Sequence, residues 1–562
     1  MRHILVILVC AATLAAQPPP ARQSSSASGL RASTEAKERE IASLLEAKKF
    51  PEAVRLLESL AADPKVSGDS DLYIKIVYNL ACGYARMGEK EQAVAYFRKL
   101  PDLGYRDLAK IEKDTDFDSI RSDPGFLEVV AAMKALPDFW DGPAWKTEFQ
   151  SDLPENDKIA GLSRFWSEVK YNFAWFDHLP KDFDWDALYI AYLPKVRATR
   201  STLEYYRVLQ ELCARLKDGH TSIVLPGALA KEAQSKPPIA TRFIEGQVLV
   251  SGVGDAELKQ SGIVPGLEIL AIDGIPVMQY GAERVAPYAS ASTGQDLNVR
   301  TYEWDLLRGK EGTTVDLTLR APDGRTFQRS LVRKSGQSNS GGSGRPDFEF
   351  KMLPGNIAYV AINTFGTATV QQEFESHFED IAKSSALIFD VRRNSGGNSG
   401  YGTAILSHLI EKPAPAEAWR SRQYVPAYRA WGQPAEWVGE TPMTDPSPER
   451  HYRNPVVVLT SAHTFSAAED FVVDFDLMNR GTIIGEPTGG STGQPIMFSL
   501  PGGGSARVCT KQNWYPDGRQ FVGRGIQPHI LVRTTVADFR AGRDAVLDKA
   551  LEYLASAQAH QP

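Results

Sequence analysis

The chain of 562 residues is poor in cysteine and lacks the usual metal-binding motifs. Of its four cysteines, Cys10 lies in an apolar N-terminal run, which leaves Cys82, Cys213 and Cys509. Three cysteines are too few for a disulfide framework. The sequence also has no His-Glu-x-x-His motif and no cluster of His, Cys and carboxylate residues at ligand spacing. We therefore expect no metal and no other cofactor.

An excess of positive charge is absent as well. The 63 Lys and Arg residues are outnumbered by 69 Asp and Glu residues, and the formal charge is −6 at pH 7. Proteins that bind nucleic acid need a basic surface to neutralise phosphates. Because both signs of charge are interspersed along this chain, we do not expect nucleic acid as a partner.

Long apolar runs are missing beyond the first residues. Residues 1–21 read MRHILVILVCAATLAAQPPPA, with a positive start, an apolar run from Ile4 to about Ala16 and a Pro-rich end. This pattern predicts a secretory signal peptide, which is too short to span a bilayer. Since no later run of 18 apolar residues follows, we expect an exported protein, periplasmic or extracellular, with no membrane span after signal cleavage.

A chain of this length exceeds one hydrophobic core, so several domains are expected. After a Ser-rich linker at 23–33, residues 36–135 have helical spacing, and KKFPEAVRLL and GEKEQAVAYF echo each other, with Ala53 and Ala93 as matched small residues. This segment resembles a tetratricopeptide repeat, in which small residues let helices approach closely. The resemblance implies a docking site for a protein partner. An ordinary helical hairpin is the alternative.

Three further segments follow before the C-terminal region. Residues 150–228 are aromatic-rich and helical and end in ARLKDGHTSIVLP, which places His220 at a helix-to-strand junction. Residues 235–335 show short β runs, and SGIVPGLEILAIDGIPV resembles a PDZ domain, which binds an extended peptide at a sheet edge. A small β domain without a ligand is the alternative. Residues 336–345 contain too few apolar residues to fold and are predicted to be a linker.

Residues 346–558 are predicted to form an α/β domain. The runs IAYVAINTF, ALIFDVRRN, PVVVLTS and GTIIGEP are continuously apolar and are separated by helical segments. Such runs indicate strands that are buried on both faces and covered by helices. The predicted fold class is therefore multidomain α/β, with a β domain and helical segments before the α/β domain.

The stretch TSAHTFSAAED places Ser466 at a turn between a buried strand and a helix. The free amides and positive dipole at a helix N-terminus favour negative charge, and the amide of Ala467 could meet an oxyanion. A second explanation is structural, because Ser466 and Glu469 have the spacing of a capping box. The sequence around Ser466 favours the cap over a nucleophile when it is taken alone.

Two more Gly-rich turns change that balance. FDVRRNSGGNSG follows one buried strand, and Gly396 and Gly397 permit backbone conformations that other residues avoid. GEPTGGSTG follows another buried strand at residues 485–493. Three such turns after three buried strands suggest a shared rim, in which an amide of Gly396 or Gly397 supplies a second oxyanion donor.

The order of these motifs, from DGHTS to GRGIQPHI, resembles the tail-specific or C-terminal processing proteases and the tricorn core protease over roughly residues 155–535. The resemblance implies a serine peptidase with a crotonase-like catalytic domain. It makes Ser466 the nucleophile and gives Ala467 and Gly396 or Gly397 the oxyanion hole. One branch uses a lysine base, but Ser491 stands about where that lysine is expected, and the first lysine after Ser466 is Lys511.

The tricorn-like branch uses a histidine instead, and His220 fits that position. A neutral imidazole can take a proton from serine and return it to a leaving amine. His463, three residues before Ser466, is a competing candidate whose turn is expected to point elsewhere.

The group that orients the base is open, because Gly219 replaces the serine beside the family's histidine and Val522-Gly523 replace its glutamate. Ser491, Asp218 and Glu486 are the alternatives. Glu469 is expected to be a cap partner.

The leading hypothesis is an exported serine endopeptidase that acts on peptides or proteins, with the PDZ-like segment binding the substrate. The rival is a non-catalytic peptide- or ligand-binding scaffold of the same fold, which the missing orienting acid favours. A third reading, a relative of enoyl-CoA hydratase, is discouraged by the signal peptide and the PDZ-like insert.

Overall fold

The computed structural model describes residues 37–559, except residues 38–39, 42, 46, 68–69, 106, 337–344, 434 and 449. The predicted signal peptide (1–21), the Ser-rich linker at 23–33 and most of the predicted linker 336–345 lie outside the described residues. The chain divides into two compact units at Gly142 and Pro143. Among the described helices, none combines the length and the apolar character that a membrane span needs.

The first unit is helical in its described part. Its helices are α1 (Phe50–Ala61), α2 (Pro64–Ser67), α3 (Ser70–Met87), α4 (Lys90–Phe97), α5 (Lys99–Asp102), α6 (Leu108–Lys113) and α7 (Pro124–Trp140). Helix α3 packs against α1 and α4. Ala53 and Ala93 are fully buried, and a Cβ added at Gly83 would lie 2.6 Å from Val54 Cγ2. Small residues thus allow these helices to approach closely, as the two echoing segments predict. The resemblance to a tetratricopeptide repeat stays a prediction.

The second unit begins with three long helices, and its later helices vary in length. The helices are α8 (Glu155–Asn172), α9 (Trp185–Ala198), α10 (Thr202–Ala214), α11 (Ala230–Ala233), α12 (Ala256–Gln260), α13 (Val277–Tyr280), α14 (Gly294–Asn298), α15 (Thr369–Ala382), α16 (Ser399–Leu406), α17 (Pro426–Ala430), α18 (Ala467–Leu477), α19 (Val536–Ala541) and α20 (Ala545–Ala559). Ser201 caps α10 by accepting a hydrogen bond from the amide of Glu204 at 3.1 Å. Helix α10 leads the chain into the loop that carries His220.

Residues 235–335, here called the β segment, contain an antiparallel sheet. Its strands are β2 (Ile239–Ile244), β3 (Gln247–Val253), β4 (Glu268–Ile272), β5 (Ile275–Pro276), β6 (Thr314–Arg320) and β7 (Thr326–Val332). The order is β2-β3-β4-β6-β7, and β5 pairs with β4. The sheet has its own apolar cluster, which includes Val248, Ile269 and Leu317. A run of helical turns from Val277 to Asp305 connects β5 to β6.

The central sheet of the second unit has six strands in the order β20-β16-β15-β10-β9-β8. They are β8 (Phe348–Leu353), β9 (Ile357–Ile362), β10 (Ala386–Asp390), β15 (Val456–Thr460), β16 (Gly481–Gly485) and β20 (Ile530–Leu531). All neighbours are parallel except β8 and β9. Residues 346–558, which are predicted to form an α/β domain, thus contain a largely parallel sheet.

Both faces of this sheet are buried, as the continuous apolar runs predict. Alternate residues of β9 belong to different cores: Ala358 and Val360 pack with helices α15, α16 and α18, whereas Ile357 and Tyr359 pack with helix α20. Successive side chains of a strand point to opposite faces, so a strand that serves two cores must be apolar throughout.

Smaller sheets surround the central one. Strand β1 (Ser222–Val224) lies at the edge of the sheet β1-β18-β17, with β17 (Pro495–Leu500) and β18 (Gly504–Cys509). The remaining strands are β11 (Ala414–Pro415), β12 (Ala418–Gln423), β13 (Glu436–Glu440), β14 (Met443–Thr444) and β19 (Lys511–Trp514). The antiparallel pairing of β1 with β18, in which Ser222 lies opposite Arg507 and Val224 opposite Ser505, joins the segment after His220 to the α/β region.

Candidate active site

Three turns meet at the carboxyl edge of the central sheet. Strands β10, β15 and β16 are parallel neighbours, so the turns after Asp390, Thr460 and Gly485 leave the same edge. Phe465 N–H donates to Asn394 O at 3.0 Å, and Ser466 N–H donates to Ser491 O at 3.0 Å. The three Gly-rich or Ser-containing turns predicted to share a rim are therefore in direct contact.

Ser466 lies in a strained backbone conformation immediately before helix α18. Its φ is 59° and its ψ is −133°, a region that non-glycine residues rarely occupy. The predicted capping box is wrong, because the Ser466 side chain makes no capping hydrogen bond to the helix. Its hydroxyl is held by His220 instead. The local spacing cannot reveal this, because His220 is 246 residues away in sequence.

Glu469 does not act as a cap partner either. Its carboxyl group is fully buried and accepts hydrogen bonds from the amide of Gly490 at 2.8 Å, the amide of Ser491 at 2.7 Å and the hydroxyl of Thr488. Burial raises the pKa of Glu469 to about 8, and these donors oppose the shift. Glu469 thus ties the turn after β16 to the first turn of α18.

His220 bridges two serines. Its Nε2 lies 2.8 Å from Ser466 Oγ and its Nδ1 lies 2.8 Å from Ser491 Oγ. The ring stacks on Phe465 with centroids 4.8 Å apart and an interplanar angle of 2°. With both nitrogens engaged and one face covered, the imidazole is held in a single orientation.

Burial lowers the pKa of His220 well below its ordinary value, and the charges of Arg507, Arg300 and Lys511 lower it further. The imidazole is therefore neutral at neutral pH. If Nδ1 carries its proton and donates to Ser491, Nε2 is free to accept the proton of Ser466. This is the protonation state that a general base requires.

The loop before His220 is fitted closely to its surroundings. A Cβ at Gly219 would lie 2.9 Å from Asp296 Oδ2 and 2.9 Å from Phe465 Cζ, so there is no room for a larger residue in this conformation. The amide of Gly219 donates to Ser292 Oγ at 2.9 Å. Glycine at position 219 thus lets the β segment contact the His220 loop.

Of the three alternatives for orienting His220, the structure places Ser491 in direct contact. Asp218 lies behind it: the Ser491 hydroxyl approaches Asp218 Oδ1 at 3.5 Å, and Thr221 Oγ1 donates to Asp218 Oδ2 at 2.6 Å. Asp218 is buried, and burial raises its pKa. The Glu486 side chain lines a different cavity, together with Arg242 and His463.

His463, the competing histidine, turns toward the β segment. Its Nε2 lies 2.9 Å from Glu303 Oε2, and Trp304 packs nearby with ring centroids 6.5 Å apart. This pairing engages the ring away from the Ser466–His220 contact. The expectation that its turn points elsewhere agrees with this position.

Gly396 lies beside Ser466 and the amide of Ala467, and Gly397 follows it in the same turn. A Cβ at Gly396 would lie 2.5 Å from Ser466 Cβ, and one at Gly397 would lie 2.1 Å from Phe365 O. Both have positive φ, +99° and +141°. The amide of Gly396 already donates to Asn394 Oδ1 at 2.9 Å, so this glycine is needed for close packing. The amide of Gly397 is therefore the better candidate for an oxyanion donor.

One group of three potential metal ligands occurs within the described residues. Ligand atoms of Cys82, Asp114 and Asp116 lie within 4.8 Å of one another. Tyr78 donates a hydrogen bond to Asp114 at 2.7 Å, and burial raises the pKa of the Cys82 thiol, which keeps it protonated. The thiols of Cys213 and Cys509 are also buried and free.

Sequence patterns do not reveal three contributors to this site. Arg507 donates to the carbonyl of Gly219 at 3.1 Å, Arg300 does so at 3.4 Å, and Ser292 accepts from the Gly219 amide. Arg300 and Ser292 belong to the β segment, and nothing in their local sequence indicates a site. Their contribution depends on tertiary packing alone.

Comparisons with known proteins agree with this geometry. Residues 356–532 match peptidase family S41. The chain is 25% identical over 277 residues to the carboxyl-terminal-processing protease of Picosynechococcus sp., a match that spans 48% of this chain and 57% of the relative. It is 24% identical over 395 residues to a tricorn protease homolog of Streptomyces coelicolor, spanning 66% of this chain and 30% of the relative. The matches thus span less than two thirds of either relative.

Among solved structures, mature CPAF is similar in fold. Its TM-score is 0.55 at 17% identity, and the superposition covers 71% of this chain and 96% of that chain. The family match includes Gly397, Ser466 and Ser491 but not His220, which precedes it. Residues 356–532 of the chain are therefore similar to peptidase family S41.

Proposed function

We propose that this chain is an exported serine endopeptidase that cleaves peptide bonds through an acyl-enzyme, with Ser466 as the nucleophile and His220 as the general base. The observation that carries the proposal is the 2.8 Å contact between Ser466 Oγ and His220 Nε2 at a strained strand-to-helix turn. A nucleophile beside an oriented base is the arrangement that acyl transfer requires.

The first half of the reaction forms the ester. Ser466 Oγ attacks the carbonyl carbon of the scissile bond while its proton passes to His220 Nε2. The resulting oxyanion is met by the amides of Ala467 and Gly397, which lie at the N-terminus of α18 and in the turn after β10. His220 then gives the proton to the leaving amine, the C–N bond breaks, and the acyl group stays on Ser466.

The second half removes the acyl group. A water molecule gives a proton to His220 Nε2 and attacks the ester carbonyl, and the Ser466 Oγ–carbon bond breaks with return of that proton. Ser491 accepts a hydrogen bond from His220 Nδ1–H. The carboxyl group of Asp218, behind Ser491, compensates the positive charge that His220 gains when it takes up the proton. Asp218 then replaces, by way of Ser491, the family glutamate whose region is occupied here by Val522-Gly523.

The other parts of the proposal concern location and substrate capture. Export rests on the sequence of residues 1–21. Substrate capture by the β segment rests on its PDZ-like sequence and on its contacts with Gly219 through Ser292 and Arg300. A partner-binding role for the helical first unit rests on its tetratricopeptide-like sequence.

Labelling with a fluorophosphonate probe tests the proposal directly. Wild type is expected to label, while Ser466→Ala and His220→Ala are expected to lose labelling. Ser376→Ala, which changes an exposed serine on α15, is the matched control. If folded wild type does not label, with or without added peptides, the proposal is wrong and a non-catalytic binding scaffold is the better account.

A further inference from the structure

Strand β18 holds the loop that carries His220 through the side chain of Arg507. In the antiparallel pair of β1 and β18, Arg507 lies opposite Ser222. Its Nε donates to Ser222 Oγ at 3.0 Å, and its Nη2 donates to the carbonyl of Gly219 at 3.1 Å. One guanidinium thus contacts the residue immediately before His220 and the residue two positions after it.

The same strand also contacts the residue that lies between these two points. The amide of Cys509 donates to Thr221 Oγ1 at 3.1 Å. Strand β1, which follows the loop, has three residues, and β18 is its neighbour in the sheet. Because a guanidinium presents its donors in a rigid planar fork, Arg507 fixes the separation of the two points that it contacts. The position of the His220 ring therefore depends on β18.

The charge of Arg507 is not neutralised by an ion pair. Arg300 donates to the same Gly219 carbonyl at 3.4 Å, but Arg300 pairs with Asp296 at 2.8 Å. Over the described part of the chain, Arg507 forms no salt bridge with a carboxylate. It is partly buried, and burial lowers the pKa of its guanidinium. A poorly solvated charge without a counterion is costly, and such charges are typical of functional sites.

The groups around His220 are more positive than negative. Burial raises the pKa of each of the three carboxyl groups nearby, which weakens their negative charge. After burial, the charge of Arg507 is the largest influence that lowers the pKa of His220. The charged or titratable groups that face the loop are Arg507 from β18, Lys511 from β19, Arg300 and Asp296 from the β segment, Asp218 from the loop itself and Glu469 from α18.

We propose that Arg507 is a positioning residue of the His220 loop and that its charge keeps His220 unprotonated in an acidic medium. This inference rests on the proposed function, because it concerns the base of that reaction. A cation beside an imidazole disfavours the second ring proton. Since only the unprotonated ring can accept the proton of Ser466, Arg507 extends the activity of an exported enzyme to lower pH.

Two substitutions of Arg507 separate its charge from its contacts. Arg507→Gln removes the charge, so the acid limb of the fluorophosphonate labelling rate is expected to move up by about one pH unit. Arg507→Lys keeps the charge but loses the planar fork. Its acid limb is expected to stay at the wild-type pH, while its labelling rate above the limb falls about fivefold, as for one lost hydrogen bond.

Two further variants serve as controls. Ser222→Ala removes one contact of Arg507 and leaves its charge, so the rate is expected to fall about fivefold with the acid limb unmoved. Arg480→Gln is the matched control, because Arg480 is also partly buried and donates to two carbonyls, those of Leu409 at 2.8 Å and Tyr452 at 2.6 Å. Arg480 precedes β16, at the opposite edge of the central sheet, and this variant should match wild type.

A direct titration of His220 provides a readout that needs no activity. The protein is labelled with carbon-13 in its histidine rings, the ring resonances are followed by NMR as pH is changed, and His220→Gln identifies the resonance of His220. The pKa of His220 is expected to rise by about one unit in Arg507→Gln and to stay unchanged in Arg507→Lys and Arg480→Gln.

The outcomes distinguish this inference from the proposed function. An unchanged pKa of His220 in Arg507→Gln, or an equal rise in Arg480→Gln, would overturn the role of the Arg507 charge even if Ser466 labels normally. If Arg507→Gln does not fold, a rise in Arg507→Lys would overturn that role, and an unchanged rate in Ser222→Ala would overturn the positioning role. If wild type never labels but the pKa rises in Arg507→Gln alone, the proposed function fails while the charge effect stands.

Discussion

At the scale of single residues, the site depends on four side chains in contact, which come from three separate parts of the sequence. Ser466, His220 and Ser491 are connected by contacts of 2.8 Å, and Asp218 follows at 3.5 Å. No charged group touches His220 directly in this chain of contacts. The orientation of the base is therefore expected to depend on a neutral hydroxyl, with a buried carboxyl group behind it.

Replacement of Ser491 by alanine tests this role. Because the Nδ1 proton would lose its acceptor, we expect the labelling rate and kcat to fall about tenfold, which is about 1.4 kcal/mol. KM should change little, since Ser491 does not face the substrate in the proposed mechanism. Ser491→Thr keeps the hydroxyl and is expected to restore part of the rate. A rate unchanged in Ser491→Ala would exclude Ser491 as a positioning residue.

The pH dependence of the reaction provides a second prediction. The pKa of His220 is lowered well below 6.5 by burial and by nearby cationic groups, so the neutral base persists as pH falls. We expect the acid limb of kcat/KM to lie below pH 6.5. The profile is measured with a substrate that has no ionisable group. An acid limb at or above pH 6.5 would contradict the neutral, buried state of His220.

At the scale of elements, three parallel strands bring their following turns to one place. Helix α18 then begins where the turns after β10 and β16 meet it, and Glu469 holds the second of these turns by three hydrogen bonds. The glycines of the turn after β10 are required by close approach rather than by flexibility. Close approach therefore explains why the turns after β10 and β16 are rich in glycine, whereas the turn after β15 carries Ser466.

Gly396→Ala is expected to disrupt this junction. The new Cβ would lie 2.5 Å from Ser466 Cβ and 3.0 Å from the amide nitrogen of Ala467, so the turn or the nucleophile must shift. A displacement of that kind costs about a hundredfold in rate, measured as kcat/KM. Gly227→Ala is the control, because nothing lies within 4 Å of a Cβ there. If Gly396→Ala keeps full activity, the turn does not approach Ser466 as closely as described.

At the scale of the whole second unit, buried carboxyl groups connect α18 to the surrounding strands. Glu417, Asp470 and Asp474 are all buried, and Asp474 Oδ1 accepts a hydrogen bond from the amide of Glu417 at 2.9 Å. Asn513 donates to Glu417 Oε1. Burial, followed by the charges of Asp470 and Asp474, raises the pKa of Glu417 well above its ordinary value. Burial also raises the pKa of Asp474 to about 7.

These shifts predict how stability changes with pH. Between the ordinary carboxyl pKa and the raised pKa, the folded state holds protons that the unfolded state releases, so the free energy of unfolding falls as pH rises from about 4.5 through 7. Each such group contributes a slope of up to about 1.4 kcal/mol per pH unit. Denaturant unfolding at several pH values measures this slope.

Glu417→Gln is expected to make that slope shallower, because it removes one titrating group and one like charge from beside Asp470 and Asp474. The amide oxygen of glutamine can still accept from Asn513. Glu436→Gln, at an exposed position on β13, is the matched control and should leave the slope unchanged. A slope that is identical in Glu417→Gln would show that Glu417 is not protonated in the folded protein at neutral pH.

Much of the architecture could be predicted because it follows from local regularities. The apolar runs at 357–362, 386–390, 456–460 and 481–485 are strands buried on two faces, and the structure places each in the central sheet. The turns that follow them were located for the same reason. The predicted capping box failed because the Ser-x-x-Glu spacing is compatible with both a cap and a nucleophile, and only a distant partner distinguishes the two.

The sequence alone therefore determined the class of the fold, the positions of the turns and the identity of Ser466 and His220 as candidates, since alternation, glycine content and motif order are properties of the chain itself. The tertiary structure decided which groups surround the imidazole. Asp218 lies in the same loop as His220, but Ser491 reaches the imidazole from 271 residues away and Arg300 reaches the neighbouring Gly219 carbonyl from the β segment. These approaches depend on the packing of the β segment and the α/β region, which no local pattern encodes.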